Sequence, residues 1–346
     1  MNSNEKILVQ TLQGKKVKRI PFWFMRQAGR YLPEYKELRS KHKNFLEYCY
    51  TPTAATEATL QPIKRFGMDA AIIFSDILVI PHAMGIDVRF EEGRGPILTP
   101  VRTADEIRNL KHLDKKFLSP VYQALALTKS KLPEETSLIG FAGLPWTLAC
   151  YMIEGGSSKE FSEIKKIMQG NPELFSELTE KLIAAITDHV LLQIEAGAEI
   201  IQLFDSWAGI LSDEEFTRWS VVPTKKIVDG IRKYHRDIPI IGFPRQAGVK
   251  FLQYAKETGV NAVSIDNSIS LEWARSTLQP QTVVQGCLSN EVLTGNVELL
   301  LKEAREIINN FKDKPFVFNL GHGILPHTPV QNVQALCDYI KQVVRN

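Results

Sequence analysis

Eight short apolar runs, rich in β-branched and aromatic residues, recur along the 346-residue chain with helical patterns between most of them. They fall at 21–25 (PFWFM), 69–75 (DAAIIFS), 138–142 (LIGFA), 200–205 (IIQLFD), 238–243 (IPIIGF), 262–265 (AVSI), 282–286 (TVVQG) and 316–319 (FVFN). Most are continuously apolar rather than alternating, which is the pattern of strands buried on both faces of a parallel sheet. Parallel neighbours need right-handed crossovers, and the intervening helical stretches supply them. Eight such units predict a closed, distorted (β/α)8 barrel of the TIM type over a doubly wound open sheet. The barrel accounts for residues 1–346 as one domain, with no Pro/Gly/Ser-rich linker or low-complexity tract to mark a boundary.

Local signals agree with this rhythm. Apolar residues at helical spacing (Leu182, Ile183, Ile186, Val190, Ile194) predict a helix over 173–198, stopped at Gly197. Ser212 and Glu215 form a capping-box signature, and Thr328, Pro329 and Gln331 offer a second one for the last helix. In a barrel the chemistry sits where strands run into their following loops. Those positions are polar here: Arg26, Asp76, Asp205 with Ser206, Arg245, Asp266 and His322. Each alone is explained as a cap or a satisfied polar group. A ring of them predicts a site.

Composition removes other classes. The net charge of +3, from 42 basic and 39 acidic residues, is too even for an electrostatic nucleic-acid binder. Cys49, Cys150, Cys287 and Cys337 lie far apart without a Cys-x-x-Cys pair, so a zinc ribbon and a redox couple are not expected, and a reducing compartment is. No leader pattern opens the chain and no apolar run reaches the ~18 residues of a membrane span, so the expectation is a soluble cytoplasmic protein. His82, His112 and His189 have no partner at metal-ligand spacing and read as structural or surface residues. Phe22, Trp23 and Phe24 read as barrel wall, or as aromatics packed on a ligand edge.

The strongest local motif is 25–35, MRQAGRYLPEY. Arg26 and Arg30 flank Gln27, Ala28 and Gly29, where small residues let the backbone approach a ligand and offer its N–H groups to an anion. Guanidinium is the side chain suited to gripping a carboxylate with two bonds. The plain alternative is a surface Arg–Glu network. Together with DAAIIFSDI (69–77), GLPWTLACYMIEGG (143–156), QLFDSWAG (202–209) and NLGHG (319–323), this block resembles the uroporphyrinogen decarboxylase family, in order and across the whole chain.

The resemblance implies a barrel enzyme, usually a homodimer, that converts the four acetates of uroporphyrinogen III to methyls and gives coproporphyrinogen III without metal or organic cofactor. Position by position, it implies that Arg26 and Arg30 bind carboxylates, with Gln27, Ala28 and Gly29 forming the loop between them. It makes Asp76 the carboxylate that meets the pyrrole N–H groups, and Tyr151, Ser206 and His322 further substrate contacts. Arg39 matches an additional basic position. The chain departs from the family pattern at Cys287 and Ser289, where asparagine and aspartate are usual, and at Arg245, where lysine is usual.

Loss of CO2 from an acetate needs an electron sink, and a pyrrole protonated at an α-carbon is one. An ionised Asp76 is acceptor-only, with about four lone-pair sites for four inward N–H groups. Arg26, a water relay and Asp76 itself are the candidates for proton donor, since guanidinium with a pKa above ~12 is a reluctant acid. His322 either titrates near neutrality or acts as a neutral donor. Asp205 either orients Ser206 or an arginine, or caps its strand. A zinc- or cobalamin-dependent methyltransferase of related architecture would carry His-x-Cys, which is missing here; a non-catalytic tetrapyrrole carrier has nothing in its favour.

Overall fold

The computed structural model describes residues 6–91 and 93–343. Nine strands appear among them: β1 (Ala70–Ile72), β2 (Val88–Glu91), β3 (Gly95–Leu98), β4 (Ser137–Gly143), β5 (Ile200–Asp205), β6 (Ile240–Pro244), β7 (Ala262–Ser264), β8 (Val283–Leu288) and β9 (Phe316–Leu320). Seven of these form one parallel sheet in the order β1-β4-β5-β6-β7-β8-β9, with registers such as Ile139↔Ile200, Ile201↔Ile240 and Val284↔Phe316. Spatial order follows chain order throughout, as a barrel requires; a doubly wound sheet reverses direction at its switch point. The β2–β3 antiparallel hairpin is an addition that the apolar-run pattern did not announce.

The expected first strand, 21–25, is a bridge rather than a regular strand. Phe22 pairs with Phe318 of β9, and Phe318 N–H donates to Pro21 O at 2.9 Å. On its other side Asp69 N–H donates to Phe22 O at 3.0 Å, immediately before β1. The segment therefore bonds to both edges of the seven-stranded sheet and closes the ring. Asp69 reinforces the seam with its side chain. Its carboxylate accepts from Phe22 N–H (2.9 Å) and takes both arms of the Arg19 guanidinium.

Side chains along this segment alternate. Trp23 and Met25 point into the barrel with Ala70, Ile139, Ile200, Ile241, Phe243, Ala262, Val283 and Val317. Phe22 and Phe24 face the helices instead, in the larger core between sheet and helical layer. All three aromatics are fully buried, so none is available to pack on a ligand edge. Leu8 and Leu12 of the helix Ile7–Leu12 plug the inner core. Lys6 fixes that plug at the strands' N-terminal ends, bonding Thr136 O and Glu199 at 2.7 Å each. Higher in the barrel, Trp23 Nε1–H donates to Gln285, whose amide donates in turn to Gln202 and Ser264; buried polar groups are tolerable only when satisfied in this way.

Helix boundaries test the local signals. The 173–198 helix runs Pro172–Glu195, and Gly197 follows it at φ +109°, a conformation that side-chain-bearing residues rarely adopt. Ser212 and Glu215 bond reciprocally as a capping box. The second expected box does not form. The last helix, Val330–Gln342, is preceded by extended Pro329 in the capping position, which leaves Thr328 one residue too early and its hydroxyl buried without a partner. No helix among the described residues is long and apolar enough to cross a membrane.

Because Asp69 replaces ladder bonds at the seam, Asp69→Ala is expected to cost about 2–4 kcal/mol of unfolding free energy, read by urea denaturation. Asp69→Asn, which keeps one acceptor, falls between. A variant within about 0.5 kcal/mol of the parent would show that the seam holds without this carboxylate.

Candidate active site

The mouth at the strands' C-terminal ends is assembled from several short turns. The first follows 21–25. Met25 is pinned on both sides to the end of β9: its N–H donates to Asn319 Oδ1 (3.1 Å) and its carbonyl accepts from Ile324 N–H (2.9 Å). Arg26 comes next at φ +60°, a left-handed conformation that costs a non-glycine residue roughly 1–2 kcal/mol. Its side chain lies across Gly323, where a Cβ would sit 2.6 Å from Arg26 Cγ, so only glycine fits there. Asn290 holds the same loop by donating to Gly323 O at 2.8 Å.

Gln27 is fully buried and commits its groups internally. Its side chain accepts from Phe24 N–H (3.1 Å) and donates to Ala70 O (3.0 Å); its backbone donates to Phe24 O and accepts from the Tyr31 hydroxyl. Its role is thus to shape the loop, and its side chain does not face a ligand. Ala28 and Gly29 are half-buried at the turn, and Gly29 packs closely under Arg26 O.

Asp76 stands opposite, beyond β1. Phe74 N–H is held by Thr59 Oγ1, and Asp76 Oδ1 accepts from Leu78 N–H at 2.8 Å, capping the turn that leads into the helix Val79–Ala83. Asp76 is not the N-cap of that helix, a position held by Leu78 without a side-chain cap bond; among the described residues its Oδ2 makes no such bond. Burial pushes the Asp76 carboxyl above the ordinary range, opposed by the Leu78 N–H and by the charge of Arg26.

Tyr151 lies on the helix Pro145–Glu154 and packs on Trp207, ring centroids 4.4 Å apart. Trp207 O accepts from Trp146 Nε1–H (3.0 Å), which fixes the loop carrying Ser206 to Tyr151's helix. Burial, then the neighbouring Asp76, pushes the Tyr151 phenol up to about 12, so it stays protonated and able to donate. Burial and then the charges of Arg245 and Arg26 push His322 down to about 3. The ring is therefore neutral at physiological pH. Arg26 follows the 21–25 segment, Asp76 follows β1, Arg245 follows β6 and His322 follows β9, with Tyr151 on the helix after β4. All five therefore stand at the same end of the barrel, where the charge of Arg26 acts on the other four. Burial pushes the Tyr35 phenol up; among the charges that reach it, Arg39 and Arg30 oppose the rise and Asp76 adds to it, and one Arg39 nitrogen donates to His42 O at 2.8 Å.

Asp205 does not orient Ser206. Fully buried, it accepts from the hydroxyls of Thr147 and Ser220 at 2.7 Å each and ties β5 to two flanking helices. His82 and His189 are structural, each bonded through Nδ1 to a tyrosine hydroxyl (Tyr50 and Tyr122) at 3.0 Å. Among the described residues no three His, Cys, Asp or Glu side chains are grouped as metal ligands. Sequence reasoning missed Asn319 and Asn290 as positioning residues and Trp207 as the platform for Tyr151. The quoted NLGHG and QLFDSWAG blocks contain the first and last of these, but a motif does not say which neighbour a side chain serves.

Residues 3–343 match the uroporphyrinogen decarboxylase family. The chain belongs to that family. It is 44% identical to the uroporphyrinogen decarboxylase of Rhodospirillum rubrum, with 98% of both chains covered. It is 46% identical to that of Wolbachia sp. subsp. Brugia malayi, covering 99% of this chain and 97% of the relative. Among solved structures, a methyltransferase from Methanosarcina mazei superposes with a TM-score of 0.78 at 18% identity over 97% of each chain. A B12-independent methionine synthase from Shewanella sp. W3-18-1 reaches 0.56 at 11%, with 84% and 86% covered. At such identities the likeness concerns the fold alone.

Burial also raises the Asp205 carboxyl, to about 6 from 3.8. The folded protein then holds a proton between those values that the unfolded chain has released. Asp205's contribution is therefore most favourable below pH 4 and declines as pH rises through 6, by about 3 kcal/mol at most. Asp205→Asn removes this slope. Denaturation at pH 5 and pH 8 is expected to show the variant gaining on the parent at the higher pH, and parallel behaviour would refute the buried-proton assignment.

Proposed function

We propose that this chain decarboxylates the four acetate side chains of uroporphyrinogen III, giving coproporphyrinogen III, as a single barrel domain over residues 1–346 that works as a homodimer in the cytoplasm. The observation that carries the reading is an opposition of charge across one mouth: the Arg26–Arg30 turn on one side and Asp76, with Oδ2 open, on the other. An octacarboxylate macrocycle with an inward-facing ring of N–H donors matches both. Its rim is anionic and its centre needs an acceptor.

In this reading Asp76 receives the pyrrole N–H groups at the centre of the ring, while Arg26, Arg30 and the intervening backbone take peripheral carboxylates, joined by Tyr151, Ser206 and neutral His322. Arg39 is a further basic group on the same side. Protonation of a pyrrole α-carbon makes the ring a cation conjugated with the acetate. The bond to the carboxylate breaks, its electron pair enters the ring, and CO2 leaves. A proton delivered to the exocyclic carbon completes the methyl, and loss of the α-proton restores the pyrrole. The net change for each acetate is uptake of one proton and release of one CO2. The ring itself serves as the electron sink, the part that pyridoxal or thiamine plays elsewhere. Asp76 stabilises the cationic intermediate, and a fixed charge acts most strongly where water is excluded.

An anaerobic assay with uroporphyrinogen III, following carboxyl loss by chromatography, tests the activity directly; absence of turnover by the wild-type chain would remove the proposal. Asp76→Asn keeps the shape but places an amide donor among N–H donors. Its rate should fall by about 10²–10³ and its binding should weaken, with circular dichroism unchanged. Asp76→Glu should retain partial activity. Turnover by Asn equal to the parent would rule out the fixed-anion mechanism. The homodimer part of this reading is supported by the family resemblance and by a substrate that must be re-presented for each acetate. Light scattering at micromolar protein should give twice the chain mass, and a monomer mass would exclude it.

A further inference from the structure

Taking the decarboxylase reading as its basis, we infer that Arg245 is a carboxylate-binding residue of this mouth, an anchor for one peripheral carboxylate of the tetrapyrrole. Arg245 directly follows β6 as Ser206 directly follows β5, and the two strands end paired, Asp205 with Pro244. Its backbone is held on every side. Its N–H donates to Asp205 O and its carbonyl accepts from Gly209 N–H, both at 3.0 Å. The next residue, Gln246, sits at φ +61° with its N–H donating to Asp266 Oδ2 at 2.6 Å. Gly209 leaves no room for movement, since a Cβ there would meet Gln246 O and Cβ at 2.5 and 2.6 Å. The backbone is pinned while the side chain is not.

The guanidinium is half-buried and, among the described residues, makes no hydrogen bond or ion pair. This sets it apart from Arg19, Arg65 and Arg108, each paired with a carboxylate. Asp266 is the acidic group nearest in effect, and its attraction outweighs the repulsion of Arg26; burial is the larger influence and works against the charge. No direct pair forms, however, and the oxygens of Asp266 accept from Gln246 and Ser268 N–H. A half-buried guanidinium whose donors are unfilled gains from a ligand carboxylate, for which its planar fork is shaped. The anchor is a ground-state one, remote from the central N–H groups that face Asp76.

The test compares Arg245→Met and Arg245→Lys with the parent in the anaerobic assay. Met is expected to raise KM for uroporphyrinogen III about tenfold or more, with kcat within about threefold. Lys, which keeps the charge but loses the fork, should lie between. A Met variant with the parental KM overturns the proposal. So does an equal loss in Met and Lys accompanied by a lowered melting temperature, which would mark a packing role. If the wild-type chain releases no CO2, the activity reading fails and Arg245 is judged by calorimetric binding of uroporphyrin III. Tenfold weaker binding by Met then supports the anchor, and unchanged binding removes it.

Discussion

The structure depends on how its first segment is sewn into the barrel. Residues 21–25 make only a bridge to β9 and one backbone bond beside β1, so the ladder that joins every other pair of strands is nearly missing here. Side chains replace it: the Asp69 carboxylate receives Phe22 N–H and Arg19, Gln27 links the turn to Ala70, and Asn319 receives Met25 N–H. Because these bonds hold Met25 from both flanks, the next residue can occupy a left-handed conformation that its own side chain disfavours. The position of Arg26 is therefore a property of the seam. Inward Trp23 and Met25 and outward Phe22 and Phe24 add apolar burial on both faces of the same segment.

Below the barrel, ionic groups meet in the Lys6–Glu199–Lys129 cluster. At the mouth, Arg26, Arg30 and Arg245 have none among the described residues, and Asp76 keeps one oxygen open. Groups already in position need no reorganisation when a charged ligand enters, and displacement of water strengthens each contact that forms. Exposed ion pairs elsewhere contribute little to stability. The unpaired groups at the mouth are instead available for binding.

Burial acts differently on the neighbouring acids and bases. It drives His322 to about 3 and Tyr151 to about 12, so both present neutral hydrogen-bonding groups over the working pH range. Asp205 is raised to about 6 only because two hydroxyl donors offset part of its desolvation. Its location beneath Ser206, with Thr147 on Tyr151's helix, makes it a strut between two walls of the mouth rather than a member of it.

Much of this was legible in the residues themselves. Eight apolar runs, continuous where strands are covered on both faces, point to a parallel sheet with right-handed crossovers, and their number favours a barrel over a doubly wound sheet. The strand pattern placed Arg26, Asp76, Ser206 and His322 where strands run into their loops, since barrel chemistry gathers there. Tyr151 came from the family resemblance and lies within the helix Pro145–Glu154. Other features depended on contacts between residues far apart in the chain. Gln27 reads as part of a binding loop, yet its amide is consumed by Phe24 and Ala70; Asp205 reads as Ser206's neighbour, yet it serves Thr147 and Ser220. Thr328 has the residue type of a cap but not the position, because Pro329 takes the extended geometry that a cap needs. The sequence by itself determined the architecture and the kinds of groups at the mouth, because period and residue chemistry are local properties. Tertiary structure alone decided which of those groups remain unpartnered and what charge they carry, because hydrogen-bond saturation and desolvation depend on the surroundings that the fold assembles.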